Sequence, residues 1–229
     1  MKLHFLTKST AIFVLAGLTA ILTPSAYAGP VNINFDSLSV APGGYVSGAP
    51  VTSYLAGYGI TLSGMSPGEV AAVLYAPTYM DVPSSPNVFT VWGANPATVT
   101  LNFSTLIDNF SFDRVGTFAA YSPSGTTRGP WSATAYNASN SILGTVGEGY
   151  IGTYGDLPTR TFTLAATGID HIYFTGDHLG FAGSNMPIMD NYSFTTPVPE
   201  PETYAMLLAG LGLLGFAARR RKLKEAAAA

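Results

Sequence analysis

The chain has 229 residues, no cysteine, only 10% charged residues and a net charge of −3. Between Gly29 and Thr196 three arginines stand against ten carboxylates and there is no lysine, which gives this part a net charge of −7. Disulfides and thiolate sites are excluded, and we expect no nucleic-acid partner, because phosphate binding needs clustered cations.

The first 28 residues have the parts of a secretory signal peptide. Two lysines precede an apolar run at 11–22, and Ala26 and Ala28 provide the small residues of an A-x-A cleavage site. Cleavage there leaves Gly29 as the new N-terminus. The pattern therefore predicts export across a membrane.

Residues 29–196 predict an all-β fold, a single antiparallel β-sandwich domain that is jelly-roll-like. Apolar and polar residues alternate in short segments, which is typical of strands with one buried face. Clusters of Gly, Pro, Ser and Asn separate these segments, and helical periodicity is nearly missing. About ten strands are expected, at 31–36, 59–63, 70–75, 88–92, 98–103, 109–113, 132–137, 142–146, 161–164 and 171–174.

Two candidate catalytic patterns lack what their chemistry requires. The segment 64–68 matches G-x-S-x-G, but Pro67 follows the serine and has no N–H to offer an oxyanion hole. Glycoside hydrolysis needs two facing carboxylates, and nothing marks Glu69 and Glu148 as such a pair. We therefore predict a protein that is not an enzyme.

Aromatic side chains in predicted loops are the candidates for a sugar-binding site. Sugar rings stack on aromatic faces, while their hydroxyls bind amides and carboxylates. The candidate cluster consists of Trp131, Tyr150 and Tyr154 with Asp156. The alternative is that these rings pack the rim of the sandwich.

The segment from Pro197 to the end has three parts. Its motif at 198–202 begins Val198, Pro199, Glu200, Pro201, and the prolines keep it extended. The uncharged run 204–218 predicts a helix about 22 Å long, short for a stable membrane crossing. A basic cluster at 219–224 follows, beginning Arg219, Arg220, Arg221, and suits a cytoplasmic end.

This order of motif, membrane helix and basic cluster resembles the PEP-CTERM sorting signal of Gram-negative bacteria. The resemblance covers about the last thirty residues, 197–229. It implies processing by exosortase, a membrane transpeptidase-like protease, after transient lodging of the helix in the inner membrane. An ordinary C-terminal membrane anchor is the alternative.

The body also resembles that of many PEP-CTERM proteins, in the segments 33–38, 58–62 and 189–194. That resemblance implies a lectin-like or carbohydrate-binding-like jelly roll, in which a structural calcium often lies near the termini. If the first and last strands lie side by side, Asp36 comes close to Asp190 and Asn191, which offer the oxygen ligands that calcium prefers. The alternative is that these residues simply end strands.

The sequence therefore favours a secreted, envelope-sorted, non-catalytic protein of the cell surface or of the extracellular polysaccharide (biofilm) matrix, with glycan binding as its candidate activity. One alternative is a purely structural or adhesive surface protein without a glycan site. A secreted glycan-acting enzyme is the other.

Overall fold

The computed structural model describes residues 29–76, 80–93, 96–117, 126–128, 130–153, 157–176, 187–197, 207, 210–215 and 218–220. Strands dominate these residues, as the alternating pattern predicts. In chain order they are β1 Pro30–Ile33, β2 Tyr45–Ser47, β3 Ile60–Ser63, β4 Val70–Tyr75, β5 Met80–Asp81, β6 Asn87–Trp92, β7 Ala97–Arg114, β8 Gly116–Thr117, β9 Thr126–Arg128, β10 Trp131–Tyr136, β11 Ile142–Glu148, β12 Ile151–Thr153, β13 Arg160–Leu164, β14 Ile169–Gly176 and β15 Met189–Thr195.

The strands form an antiparallel sandwich whose two layers share the long strand β7. Its first half pairs with β3 on one side and β14 on the other, and β10 and β11 complete that layer, here called sheet I. Its second half pairs with β13 and β15, and β1, β6, β4 and β2 complete sheet II. The expected antiparallel sandwich is confirmed.

Strand β7 was predicted as two strands because its alternation changes phase. Val99, Leu101 and Phe103 point into the core in the first half, and Phe110 and Phe112 do so in the second. Asn109 lies between the halves with φ 54°, a left-handed conformation that asparagine tolerates better than most residues. The inward-pointing residues therefore have odd numbers in the first half and even numbers in the second, and the strand continues through the change.

The first and last strands of the sandwich lie side by side, as predicted. Pro30 is opposite Thr195 and Ile33 is opposite Tyr192. The strand β1 ends at Ile33, earlier than the expected 36, because Phe35 adopts a left-handed conformation with φ 61°. The two ends of the domain therefore leave it from the same edge.

A short helix, α1 (Ala49–Ala56), was not predicted. Only Val51 and Leu55, one turn apart, are buried on it, so eight residues give too little periodicity to detect. The helix contacts β2, β3 and β4. It covers one edge of the sandwich.

The main core is a large apolar cluster that joins both layers, and a smaller cluster contains Met80, Val88, Val115 and Ile188. Phe112 of sheet II lies 5.3 Å, between ring centroids, from Phe174 and 5.7 Å from Trp131, both in sheet I. The same ring stacks on Phe162 at 5.9 Å. These edge and stacked contacts hold the two sheets together.

The tail is described only in pieces, of which 210–215 and 218–220 are helical. Among the described residues no helix has both the length and the apolar character that a membrane crossing requires. The predicted membrane helix at 204–218 is therefore not supported by these pieces. The signal peptide, 1–28, and the motif, 198–202, lie outside the described residues.

Candidate functional site

Trp131 does not lie in an exposed loop. It begins β10, is 6% exposed, and packs its ring against Phe162 at 4.8 Å in the core. This corrects the expectation of a ring open to a ligand. Tyr150 is 60% exposed, as expected, whereas Tyr154 and Asp156 lie outside the described residues.

Trp131 instead belongs to a buried ionic cluster centred on Glu148. Arg114 donates Nε and Nη2 to the two carboxylate oxygens of Glu148 at 2.8 and 2.9 Å, and Trp131 donates Nε1 at 3.0 Å. Arg114 is fully buried and Glu148 is 6% exposed. Burial would raise the pKa of Glu148, but the hydrogen bonds from Arg114 and Trp131 and the arginine charge outweigh it and lower the pKa.

The alternation along β7 signals this buried arginine. Phe110, Phe112 and Arg114 occupy successive inward positions, so a charge at the third position requires a buried partner. Nothing local in the sequence identifies Glu148 as that partner, because it lies 34 residues later.

The other glutamate of the domain, Glu69, also has a structural role. It is 7% exposed and accepts hydrogen bonds from the backbone N–H groups of Ser66 and Thr98. Ser66 and Glu69 therefore begin and end a turn, and part of the G-x-S-x-G segment lies in that turn. Both glutamates hold the fold through specific partners.

Asp190 is the second residue of β15, the strand that pairs with β1, and it is fully buried. Its carboxylate accepts hydrogen bonds from the N–H and hydroxyl of Ser84 at 3.1 and 2.8 Å and from the N–H of Asn191 at 2.7 Å. Burial raises its pKa to about 6 despite these bonds, and the charge of Asp36 adds to the rise. The charge of Asp36 therefore acts on Asp190, and the pairing of β1 with β15 brings these two strands together.

The proposed calcium ligands are only partly arranged for a metal. The side chain of Asn191 donates to Asp113 at 2.9 Å, and Asp36 accepts the N–H of Asn87 at 3.0 Å. Over the described residues no group of three or more acidic, histidine or cysteine side chains is placed to hold a metal ion. Calcium at Asp36, Asp190 and Asn191 stays a prediction.

The raised pKa of Asp190 predicts that stability falls between about pH 4 and pH 6. Because the folded protein binds this proton more tightly than the unfolded chain, the free energy of unfolding decreases as pH rises through 6 and stays low above it. A rise from 3.8 to about 6 corresponds to at most about 3 kcal/mol. We expect Asp190→Asn to remove this pH dependence in urea unfolding of the full chain.

Asp108→Asn is the matched control for that experiment. Asp108 holds the same place in the motif Asp-Asn-aromatic-Ser-Phe but is half-buried, so the fall from about pH 4 to pH 6 should persist. A wild-type stability that is flat across this range would contradict the prediction. Repeating the unfolding with calcium and with a chelator tests the calcium hypothesis, which requires lower stability in chelator.

The outer side of sheet I is a polar surface, here called the hydroxyl face. Residues directly opposite in neighbouring strands share a side of a sheet, so the registers define rows across it. One row is Thr61, Asn102, His171 and Tyr136; the next is Ser63, Thr100, Tyr173, Thr134 and Thr145; the third is Thr98, Thr175 and Ser132. Their inward neighbours form the core.

Aromatic rings occupy the middle and one end of the hydroxyl face. Tyr136 and His171 stack with ring centroids 5.0 Å apart and planes 8° apart. Tyr173 lies between Thr100 and Thr134 on the neighbouring strands. An open depression of about 310 Å³ adjoins the third row, lined by Pro96, Pro130, Trp131, Ser132, Thr175 and Gly176.

The tail matches a known family model. Residues 197–222 match the family model for the PEP-CTERM protein-sorting motif. The chain carries a PEP-CTERM motif. This confirms the resemblance drawn from the Pro-Glu-Pro segment and the basic cluster, and the match begins at the predicted boundary of 197.

A PEP-CTERM motif implies export and sorting to the cell envelope or surface by exosortase. Of the predicted sorting residues, Arg219 and Arg220 are described and helical, whereas Val198, Pro199, Glu200, Pro201 and Arg221 lie outside the described residues. The assignment of a sorting signal therefore rests on the match of the sequence at 197–222.

The chain matches no curated protein sequence. Similar solved structures include TmCBM61 in complex with β-1,4-galactotriose, at 10% identity and TM-score 0.30, covering 60% of this chain and 83% of that one. The K1 cleaved adhesin domain of Lys-gingipain from Porphyromonas gingivalis W83 has 14% identity and TM-score 0.34, covering 74% and 99%. A DUF4465 family protein from Bacteroides caccae has 13% identity and TM-score 0.35, covering 73% and 99%. Scores of this size establish no shared function.

Proposed function

We propose that this is an exported protein that exosortase processes at its PEP-CTERM motif and that then resides in the extracellular polysaccharide matrix, where its sandwich binds glycan without catalysis. The match at 197–222 is the observation that supports this most strongly. The A-x-A pattern at Ala26 and Ala28 supports export by a cleaved signal peptide.

The chemistry of the sandwich supports binding over catalysis. Both glutamates of the domain hold buried or backbone partners, Glu148 with Arg114 and Glu69 with Thr98. A hydrolase needs a pair of carboxylates free to meet a substrate. The outer side of sheet I instead offers hydroxyls, an amide and aromatic rings.

A structural or adhesive surface protein is the second candidate. The pairing of β1 with β15 supports it, because both ends of the domain leave from one edge. Such a module is held at one end by its tail and presents the other end outward. The two candidates differ in whether the purified protein binds polysaccharide.

Replacing Pro199, Glu200 and Pro201 together with Ala tests the sorting step. In a Gram-negative host that has exosortase, we expect the variant to keep its tail in the envelope fraction, because the motif that exosortase reads is lost. The mass of the mature protein, measured by intact mass spectrometry, separates processed from unprocessed chains.

Pro197→Ala with Glu202→Ala is the matched control, since it changes two flanking residues of the same kinds and keeps Pro-Glu-Pro. We expect it to mature normally. Normal maturation of the triple variant, or equal maturation in a host strain without exosortase, would overturn the sorting proposal.

A further inference from the structure

We propose that the hydroxyl face of sheet I is the glycan-binding surface and that it takes an extended, neutral polysaccharide chain centred on Tyr173. This inference rests on the proposed glycan binding and locates the binding site on one surface of the domain. It differs from the cluster around Tyr150 that the sequence predicts.

The shape of the hydroxyl face suits a polymer. Its five strands lie about 4.8 Å apart, which makes it roughly 19 Å wide. Side chains two residues apart on one strand are about 6.8 Å apart, so three rows give a depth of roughly 14 Å. Compact ligands are held in concave pockets, whereas an open sheet face of this size is large enough to contact several sugar units of a chain.

The charge of the hydroxyl face selects a neutral chain. Its three rows contain Thr, Ser, Asn, Tyr and His, and within them there is no Lys, Arg, Asp or Glu. The domain around it has a net charge of −7. Without cations in the rows, a uronic-acid chain would find no counter-charge and would meet repulsion from the domain.

Tyr173 supplies the stacking surface. It occupies the centre of the middle row, and its neighbours across the strands are the small side chains Thr100 and Thr134. The ring is half-buried, so it is held in place while one part stays open. Large rigid aromatics surrounded by small polar groups contribute most of the binding energy in many recognition sites.

The hydroxyls around Tyr173 differ in how much hydrogen-bonding capacity they retain. Thr134 and Thr145 share a hydrogen bond at 3.1 Å, and Asn102 donates to Ser63 at 2.8 Å. Within the described part of the chain the side chains of Thr100, Tyr173 and Thr175 have no hydrogen-bond partner. These groups are available to sugar hydroxyls.

The depression beside the third row extends the surface at one end. Ser132 and Thr175 belong both to that row and to the lining of the depression, which Pro96 and Pro130 border. At the opposite end the stacked rings of Tyr136 and His171 lie next to Ile142, which is 66% exposed. A chain laid along β14 therefore meets aromatic rings, then hydroxyls, then the depression.

The test measures binding of the full chain, purified in mild detergent, to three immobilised probes. These are the exopolysaccharide of the host, a neutral β-linked glucan or galactan, and polygalacturonate as the acidic probe. We expect saturable binding to a neutral probe, no binding to polygalacturonate, and at least about tenfold weaker binding for Tyr173→Thr. Tyr173→Phe should stay close to wild type, since it keeps the ring.

Two exposed tyrosines elsewhere provide the controls. Tyr45→Ala, at 60% exposure on sheet II, removes a more exposed ring away from the hydroxyl face, and Tyr150→Ala removes the ring that the sequence predicts. Both should bind as wild type does. Thr134→Arg is a second variant of the hydroxyl face. The long, charged arginine side chain would lie across the middle row beside Tyr173 and should abolish binding.

The outcomes separate the two proposals. If wild type binds a neutral probe and the Tyr173 and Thr134 variants, checked by thermal unfolding to be folded, bind equally well, the assigned surface is wrong while glycan binding stands. Loss of binding in Tyr150→Ala alone overturns the assignment in the same way. If wild type binds none of the polysaccharides, glycan binding itself fails and the structural surface protein is favoured.

Discussion

Glu148→Gln is expected to lower the free energy of unfolding by about 3–5 kcal/mol. The reason is that the side chain of Arg114 is fully buried and depends on Glu148 for its counter-charge. The carboxylate of Glu148 accepts hydrogen bonds from two guanidinium nitrogens of Arg114, at 2.8 and 2.9 Å. Neutralising the carboxylate leaves an uncompensated charge in the core. Urea unfolding of the full chain at pH 7, followed by tryptophan fluorescence, measures the loss.

Arg160→Gln is the control for this charge cluster. Arg160 meets the same carboxylate at 3.3 Å but is 61% exposed, so its removal should cost less than about 1 kcal/mol. The double variant Arg114→Met with Glu148→Leu removes both buried charges and should recover most of the stability. A Glu148→Gln loss no greater than that of Arg160→Gln would refute the burial argument.

The Arg114–Glu148 pair predicts that stability falls as pH is lowered, whereas Asp190 predicts that stability falls as pH is raised. The lowered pKa of Glu148 means that its stabilisation is complete above its ordinary value of 4.5 and is lost as pH falls through the lower, folded value. The Asp190 stabilisation is lost as pH rises from about 4 to about 6. The wild-type protein should therefore be most stable near pH 4.

Phe112→Ala is expected to destabilise the protein by about 3–5 kcal/mol. Phe112 is fully buried and contacts rings of both layers, Phe174 and Trp131 in sheet I and Phe162 in sheet II. Its truncation leaves a cavity where the two sheets meet, and β-strands on either side cannot close it without losing their registers.

Tyr45→Ala serves as the comparison, since this ring is 60% exposed at the edge of sheet II and contacts Trp92. Its loss should change the free energy of unfolding by about 0.5 kcal/mol or less. Equal effects for the two variants in urea unfolding would show that the core does not join the layers at Phe112.

Alternation in the sequence predicted most strands because it is a local signal. The strand β4 has the predicted bounds, Val70–Tyr75, and β10 begins one residue earlier than expected. The additional residue is Trp131. It continues the alternation of the apolar residues Ala133 and Ala135, and this alternation predicts that the Trp131 side chain points into the core. The phase change at Asn109 and the eight-residue helix α1 give no such local signal.

The candidate site was less predictable because it depends on long-range pairing. Thr100, Tyr173 and Thr134 are ordinary outward residues of three separate strands, and only strand order and register align them in one row. The sequence instead favoured Tyr150 and Tyr154, which are close in the chain. The sorting motif was fully predictable, since exosortase recognition resides in a contiguous segment.

The position of β15 has a mechanical consequence for a protein attached through its C-terminal side. The strand lies between β7 and β1, and the chain leaves it at Thr195 opposite Pro30. A pull on the tail acts along β15, so its hydrogen bonds to both neighbours are loaded in shear and must break together. Tension from a moving matrix is therefore resisted by an interior strand that is paired on both sides.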